Sequence, residues 1–224
     1  MTQPRGTPST PPRLRRYAAV CAGPLALALL LGSAPLQAQD AWTVIERFRR
    51  HLEDRSPFSA RFDQTYLPEG FSTGETEGGR FSLSLPECLR WDYEDPYPKS
   101  FILCGDVFHY WNADEAEGHR EEIDALSQPG LDLLLLELSQ LRERYFAGAV
   151  VEGEGFLEIV LKPVEPNELA VAATLVLDPS ELDLIELSYV DEVGNRTTFR
   201  ISDYREGLEH GTFNPPEGVE WMED

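Results

Sequence analysis

The chain has 224 residues, is 42% hydrophobic and 10% aromatic, and carries 40 acidic against 19 basic side chains. That apolar share suffices for a packed core and excludes a disordered chain, while the acidic balance excludes the basic footprint that nucleic acid requires. The charge is unevenly placed: residues 1–38 hold four arginines (Arg5, Arg13, Arg15, Arg16) and no acid, which leaves a net charge of −25 on the remainder, a surface that anionic headgroups also repel.

Arg13-Leu14-Arg15-Arg16 precedes an apolar run from Tyr17 to Gly32, interrupted at Gly23-Pro24. The run falls short of the roughly 20 apolar residues a spanning helix needs. Ser33-Ala34-Pro35-Leu36-Gln37-Ala38 follows it, so the segment reads as a secretory signal cleaved after Ala38, with one domain over 39–224. Leu36 departs from the small residue expected there, and an uncleaved anchor is the alternative. Cys21 sits at the start of the apolar run behind Val20, which is the wrong place for a lipid-modified cysteine. Export leaves Cys88 and Cys104 in an oxidising compartment, where a disulfide persists.

In chain order, Asp40 caps a helix that runs to Arg55, with Ala41, Ile45, Phe48 and Leu52 on one face and Ser56-Pro57 as its stop. The period then changes to two. Phe58, Ala60, Phe62 and Tyr66 alternate with polar residues, and Phe81-Ser-Leu83-Ser-Leu85 does the same after a Gly- and Glu-rich turn over 69–79. Two further strands flank the loop Glu94-Asp-Pro-Tyr-Pro98. Centring that hairpin on Pro96 pairs 91 with 101, 89 with 103 and 88 with 104. Leu89, Trp91, Phe101 and Leu103 then share one face and the two cysteines oppose each other on the other, close enough for a bridge. Two free buried thiols are the alternative. Short strands are expected at Phe108–Asn112 and Arg120–Ile123. A leucine-rich helix follows, from Pro129-Gly130 to Tyr145, with Leu131, Leu133, Leu134, Leu135, Leu136, Leu138 and Leu141. The rest reads as strands at 147–152, 155–162, 170–178, 183–191 and 196–204. Short connections favour a meandering antiparallel sheet, curled or partly closed as a barrel, with the two helices as the elements available to cover one face.

Several stretches resemble the LolA family of periplasmic outer-membrane lipoprotein carriers. Phe58-Ser-Ala-Arg-Phe62-Asp-Gln64 is similar to the family's first strand. Gly79-Arg-Phe-Ser-Leu83 and Pro86-Glu-Cys-Leu89-Arg-Trp91 are similar to the stretch that follows. Asp106 with Tyr110-Trp111-Asn112, and Phe213-Asn-Pro215-Pro216-Glu-Gly218-Val219, complete a match in order and spacing over residues 40–219. The resemblance implies a mainly β fold, an incomplete β-barrel closed by a helical lid over an apolar cavity for acyl chains. Phe58, Phe62, Phe81, Leu83, Leu89, Trp91, Phe101 and Leu103 would form its floor, and Leu52, Leu133, Leu135 and Leu136 its roof. An ordinary solid core uses the same residues. One departure stands out: the arginine that in this family precedes the proline and ties sheet to lid is here Leu85, a lid contact limited to packing.

The resemblance further implies lipoprotein cargo, an inner-membrane transporter as donor, an outer-membrane acceptor, and no enzymatic activity; a monomer is expected. A related sensor or carrier of another amphiphile, or an envelope hydrolase built on the paired carboxylates Glu94-Asp95 or Glu121-Glu122, are the alternatives. His51, His109, His119 and His210 lack metal-ligand spacing and read as surface and turn positions, and no cofactor motif is present.

Overall fold

The computed structural model describes residues 40–123, 131–165 and 172–223, all within one compact unit, Gln37–Asp224. The export segment read at 1–38 lies outside the described residues, as do the helix start at Pro129-Gly130 and the first residues of the strand read at 170–178.

Helix α1 (Ala41–Arg55) begins where the Asp40 carboxylate accepts the Thr43 N–H at 3.0 Å. It ends where the Ser56 N–H returns to the carbonyls of Leu52 and Glu53, ahead of Pro57. Its buried stripe contains the four residues expected from spacing, and also Val44 and Arg49.

Six strands follow: β1 (Phe58–Leu67), β2 (Glu75–Ser84), β3 (Cys88–Asp95), β4 (Lys99–Cys104), β5 (Val107–Asn112) and β6 (Glu117–Glu122). They form an antiparallel meander in sequence order. Helices α2 (Leu131–Leu135) and α3 (Leu138–Arg144) lead into β7 (Tyr145–Ala147), β8 (Val151–Gly153), β9 (Phe156–Pro163), β10 (Ala172–Leu177), β11 (Leu184–Val190) and β12 (Arg196–Glu206). The last strand, β13 (Glu220–Glu223), lies parallel to β6. All thirteen belong to one curved sheet in the order β13-β6-β5-β4-β3-β2-β1-β12-β11-β10-β9-β7, with β8 paired to β9 beside this path. The two meanders meet at one seam, where β1 and β12 pair from Phe58↔Glu206 to Leu67↔Arg196. Among the described strands β13 and β7 do not pair, so the barrel stays unclosed.

The β3–β4 register is the one centred on Pro96: Cys88↔Cys104, Leu89↔Leu103 and Trp91↔Phe101. Alternation therefore sends Leu89, Trp91 and Leu103 to the concave face, where α1 and the leucine-rich segment pack. The convex face carries the Cys88–Cys104 disulfide, with Cα atoms 4.2 Å apart. Arg90 lies beside it, donating to both oxygens of Asp92 at 2.9 and 2.8 Å and to the Thr212 carbonyl at 2.8 Å. Thr212 belongs to the segment after β12, which crosses the convex face to reach β6. There Trp221 packs edge-on against His109 and Trp111, over Gly118, where an added Cβ would come within 2.6 Å of its ring.

Three expectations need correction. The strand expected at 147–152 is two short ones, β7 and β8, with no strand over 148–150. The leucine-rich helix is not continuous: it breaks at Leu136-Glu137, and α3 restarts with the Gln140 side chain accepting the Glu137 N–H at 3.1 Å. Five leucines in six positions wrap too far round one straight helix to be buried on a single side; the break buries Leu133, Leu134, Leu136 and Leu141 together. Strand β13 has no counterpart among the expected strands. It is four residues long and sits after a Pro-rich turn, so it shows no periodic signal of its own.

Candidate functional site: an aromatic floor under a helical cover

The concave face carries a band of rings running across the strands. Tyr189 on β11 meets Phe199 on β12, with centroids 6.4 Å apart; Phe199 meets Trp91 at 5.5 Å and Phe62 at 6.1 Å. Trp91 stacks on Phe81 at 5.1 Å, and Phe62 reaches Tyr93 at 4.9 Å. Tyr93 leads to Phe101 at 5.8 Å, Phe101 stacks on Tyr110 at 4.9 Å, and Tyr110 stacks on His119 of β6 at 6.2 Å. Such a band arises because equivalent positions of neighbouring strands point the same way, so rings spaced by the pleat touch sideways.

The residues singled out from sequence divide into two groups. Phe58, Phe62, Phe81, Leu83, Leu89, Leu103, Leu52, Leu133 and Leu136 are fully buried. Apart from Leu103, all lie in a single cluster joining floor, α1 and cover. Trp91, Phe101 and Leu135 are only partly buried. The first group packs as a solid core, and an aromatic ledge of Trp91, Tyr93, Phe101, Phe108 and Tyr110 continues it toward β5. Admitting a long apolar ligand beyond that ledge requires the cover to move. Leu85 packs at the margin of the cluster, its N–H donating to Ser56 Oγ at 2.8 Å.

Sequence reasoning missed the ledge residues Tyr93, Phe108 and Tyr110, although the alternation of Phe108-His-Tyr110 carried their signal. It also missed Arg49. This side chain is 7% exposed, and its Nη1 donates to the carbonyls of Leu134 and Leu133, the latter at 3.5 Å. A five-residue helix leaves its last four carbonyls without intrahelical partners, and two of those in α2 are the ones Arg49 meets. Burial pulls the guanidinium below the ordinary arginine value, while the nearby charges of Glu53 and Glu137 oppose that shift. Arginine stays charged under such a perturbation, so a positive group sits at the C-terminal end of α2, the favourable end for it. Arg49 thus fastens the cover to α1, whereas the Leu85 side chain contributes only apolar contact.

A polar fence borders one end of the band. The Tyr93 hydroxyl donates to Gln64 Oε1, and Lys99 lies 4.5 Å from the Tyr93 ring while pairing with Glu77 at 2.7 Å. Desolvation, reinforced by Glu77 and Tyr189, pushes the Tyr93 phenol far above its usual value.

The carboxylate pairs offer no shared acid–base geometry. Glu121 and Glu122 are consecutive on β6 and face opposite sides; Glu94 is the extra residue where the β2–β3 register shifts beside Asp95, and it pairs with Arg61 at 3.6 Å. His51 is not a free surface residue: it bonds Asp183 at 2.8 Å beside Arg55. His109 is also held in the sheet, against Trp221. Among the described residues no group of His, Cys, Asp or Glu is placed to hold a metal ion, and no helix is long and apolar enough to cross a membrane.

A mainly antiparallel, unclosed sheet with an aromatic concave floor under a helical cover defines a half-barrel. A crystal structure of an uncharacterized conserved protein from Thermus thermophilus has the same fold: TM-score 0.56 at 10% identity, over 83% of this chain and all of that one. The family model described as "Outer membrane lipoprotein carrier protein LolA" matches residues 54–215, and the chain belongs to that family. Relatives named outer-membrane lipoprotein carrier protein include one from Chromohalobacter salexigens, 26% identical over 86% of this chain and 94% of its own. Another, from Alkalilimnicola ehrlichii, is 27% identical over 89% and 92%.

Proposed function

We propose that this protein is a non-enzymatic periplasmic carrier that shields the acyl chains of lipoproteins between the inner and outer membranes. Residues 1–38 direct its export, and residues 39–224 form the carrier. The supporting observation is the floor itself: rings touching in series from β11 to β6 beneath a cover whose Leu133 and Leu134 carbonyls Arg49 of α1 engages.

The task sets the energetics. Each CH₂ withdrawn from water is worth about 0.8 kcal/mol, so one sixteen-carbon chain prefers a membrane by roughly 12 kcal/mol. A carrier must supply comparable apolar surface and still let go. A packed floor and cover do this by exchange, because opening trades leucine–aromatic contacts for chain–aromatic contacts of similar kind. The acyl chain starts on the half-buried ledge (Trp91, Phe101) and displaces the cover leucines Leu133, Leu135 and Leu136 from Phe58, Phe62, Phe81, Leu83, Leu89 and Leu103, with Leu52 of α1 as a fixed wall. Cargo comes from an inner-membrane transporter and passes to an outer-membrane acceptor. The strongly acidic exterior keeps the carrier from settling on anionic headgroups at either end.

Mass spectrometry of the protein isolated from its native cells tests this. The expected species begins at Gln39 and copurifies with acyl-bearing polypeptide. Protein that begins at Met1, or that carries no acyl group under any isolation condition, overturns the reading.

A further inference from the structure

Among the described residues three buried polar side-chain atoms lack a hydrogen-bond partner: Arg80 Nη1, His109 Nδ1 and Trp91 Nε1. The first two belong to the convex face, since they flank Phe81 and Tyr110 in strands whose concave residues are those rings. Arg80 also engages Asp203 through its other nitrogen at 3.1 Å. Trp91 stands alone on the concave face. Its indole lies among Phe62, Phe81 and Phe199, with centroids 5.3, 5.1 and 5.5 Å away.

An indole N–H is a donor only, and proteins rarely bury one unmet unless a further partner completes it. We propose that Trp91 Nε1–H donates to the carbonyl oxygen that links an acyl chain to its cargo, so that the site recognises the acyl linkage as well as the hydrocarbon. This rests on the carrier reading above. A long acyl chain has acceptors only at its carboxyl end, and the rings around Trp91 offer none that compete. Trp91 also lies where the buried floor meets the half-buried ledge, so a chain seated on the packed side leaves its carboxyl end at this boundary.

The test compares a glycerol diester and the matching glycerol diether, each with two eight-carbon chains, titrated into the mature wild-type protein and Trp91→Phe. The ester-to-ether affinity ratio should fall about three- to tenfold in the variant, the range of one neutral hydrogen bond. In the ¹⁵N-labelled wild type, the Trp91 indole N–H proton should move downfield with the ester and not with the ether. This second readout stands even if Trp91→Phe folds poorly. An unchanged ratio, or the same indole response to both lipids, overturns the proposal while leaving the carrier reading intact. Failure of the wild type to bind either lipid overturns both.

Discussion

Replacing Arg49 with Met removes the fastening between α1 and the cover while keeping an unbranched stem of similar reach. The Leu134 bond is the principal one lost, since the Leu133 contact, at 3.5 Å, is at the limit of a hydrogen bond. A hydrogen bond to a charged group contributes about 1.5–3 kcal/mol net, and an orphaned buried carbonyl costs about 1–3 kcal/mol. These are two views of the same loss, so the closed cover should be weakened by about 1.5–3 kcal/mol, or roughly ten- to 150-fold in its closed-to-open ratio. Hydrogen exchange reads this directly. In Arg49→Met, amides over 133–141 should lose about one to two decades of protection while those of β1 and β2 keep theirs. Arg49→Lys should fall between, because one ammonium replaces the guanidinium fork. Unchanged protection over 133–141 would refute the fastening, and equal loss throughout the sheet would show that Arg49 is simply part of the common core.

The two adjacent cover leucines should separate. Leu136, 1% exposed, should destabilise the whole domain by about 3 kcal/mol or more as Leu136→Glu, whereas Leu135→Glu, at a partly exposed position, should leave thermal unfolding nearly unchanged and weaken acyl binding. Similar unfolding shifts in both would contradict the assignment. Gly118→Ala places a methyl against the Trp221 ring and should lift β13 from β6, at about 1–3 kcal/mol, seen as faster proteolysis within 207–223; wild-type cleavage rates would count against it. At high pH, the phenols of Tyr93 and Tyr204, both raised chiefly by desolvation, stay neutral in the folded protein when unfolded tyrosine ionises near 10.0. The native state then holds more protons than the unfolded one, so stability is intact below pH 10 and falls above it. The slope of melting temperature between pH 9.5 and 11 should flatten in Tyr93→Phe and Tyr204→Phe, and an undiminished slope in both would exclude these groups.

Local rules carried most of the fold into view. Asp40 and Ser56-Pro57 bound α1 because caps and prolines act within one turn, and period-two alternation with a hairpin centred on Pro96 sufficed for the β3–β4 register down to the opposed cysteines. Phe58, Phe62, Phe81 and Trp91 of the floor were legible for the same reason, whereas Phe199 and Tyr189, on the distant strands β12 and β11, were not singled out. What stayed hidden depended on distant chain. Arg49 stands four residues after Ile45, on the apolar stripe, and an arginine in such a stripe was the available signal for a buried partner; its acceptors lie more than eighty residues away. The break at Leu136-Glu137 follows from how much apolar circumference the floor can cover. Strand β13 owes its conformation to the edge of β6 and to the space above Gly118, neither of which is written in Glu220–Glu223.

The seam between β1 and β12 has a kinetic consequence. The first strand pairs locally with β2 but finds its second partner only at residues 196–206, so each meander can zip locally while the join between them waits for nearly the whole chain. Loop closure over such a separation is slow, and both seam edges stay open in the meantime. For the exported carrier proposed above, that delay is protective. The half-barrel cannot be completed before its last strands are available, and its aromatic floor, which needs Phe199 of β12 beside Phe62 of β1, comes into being only with them.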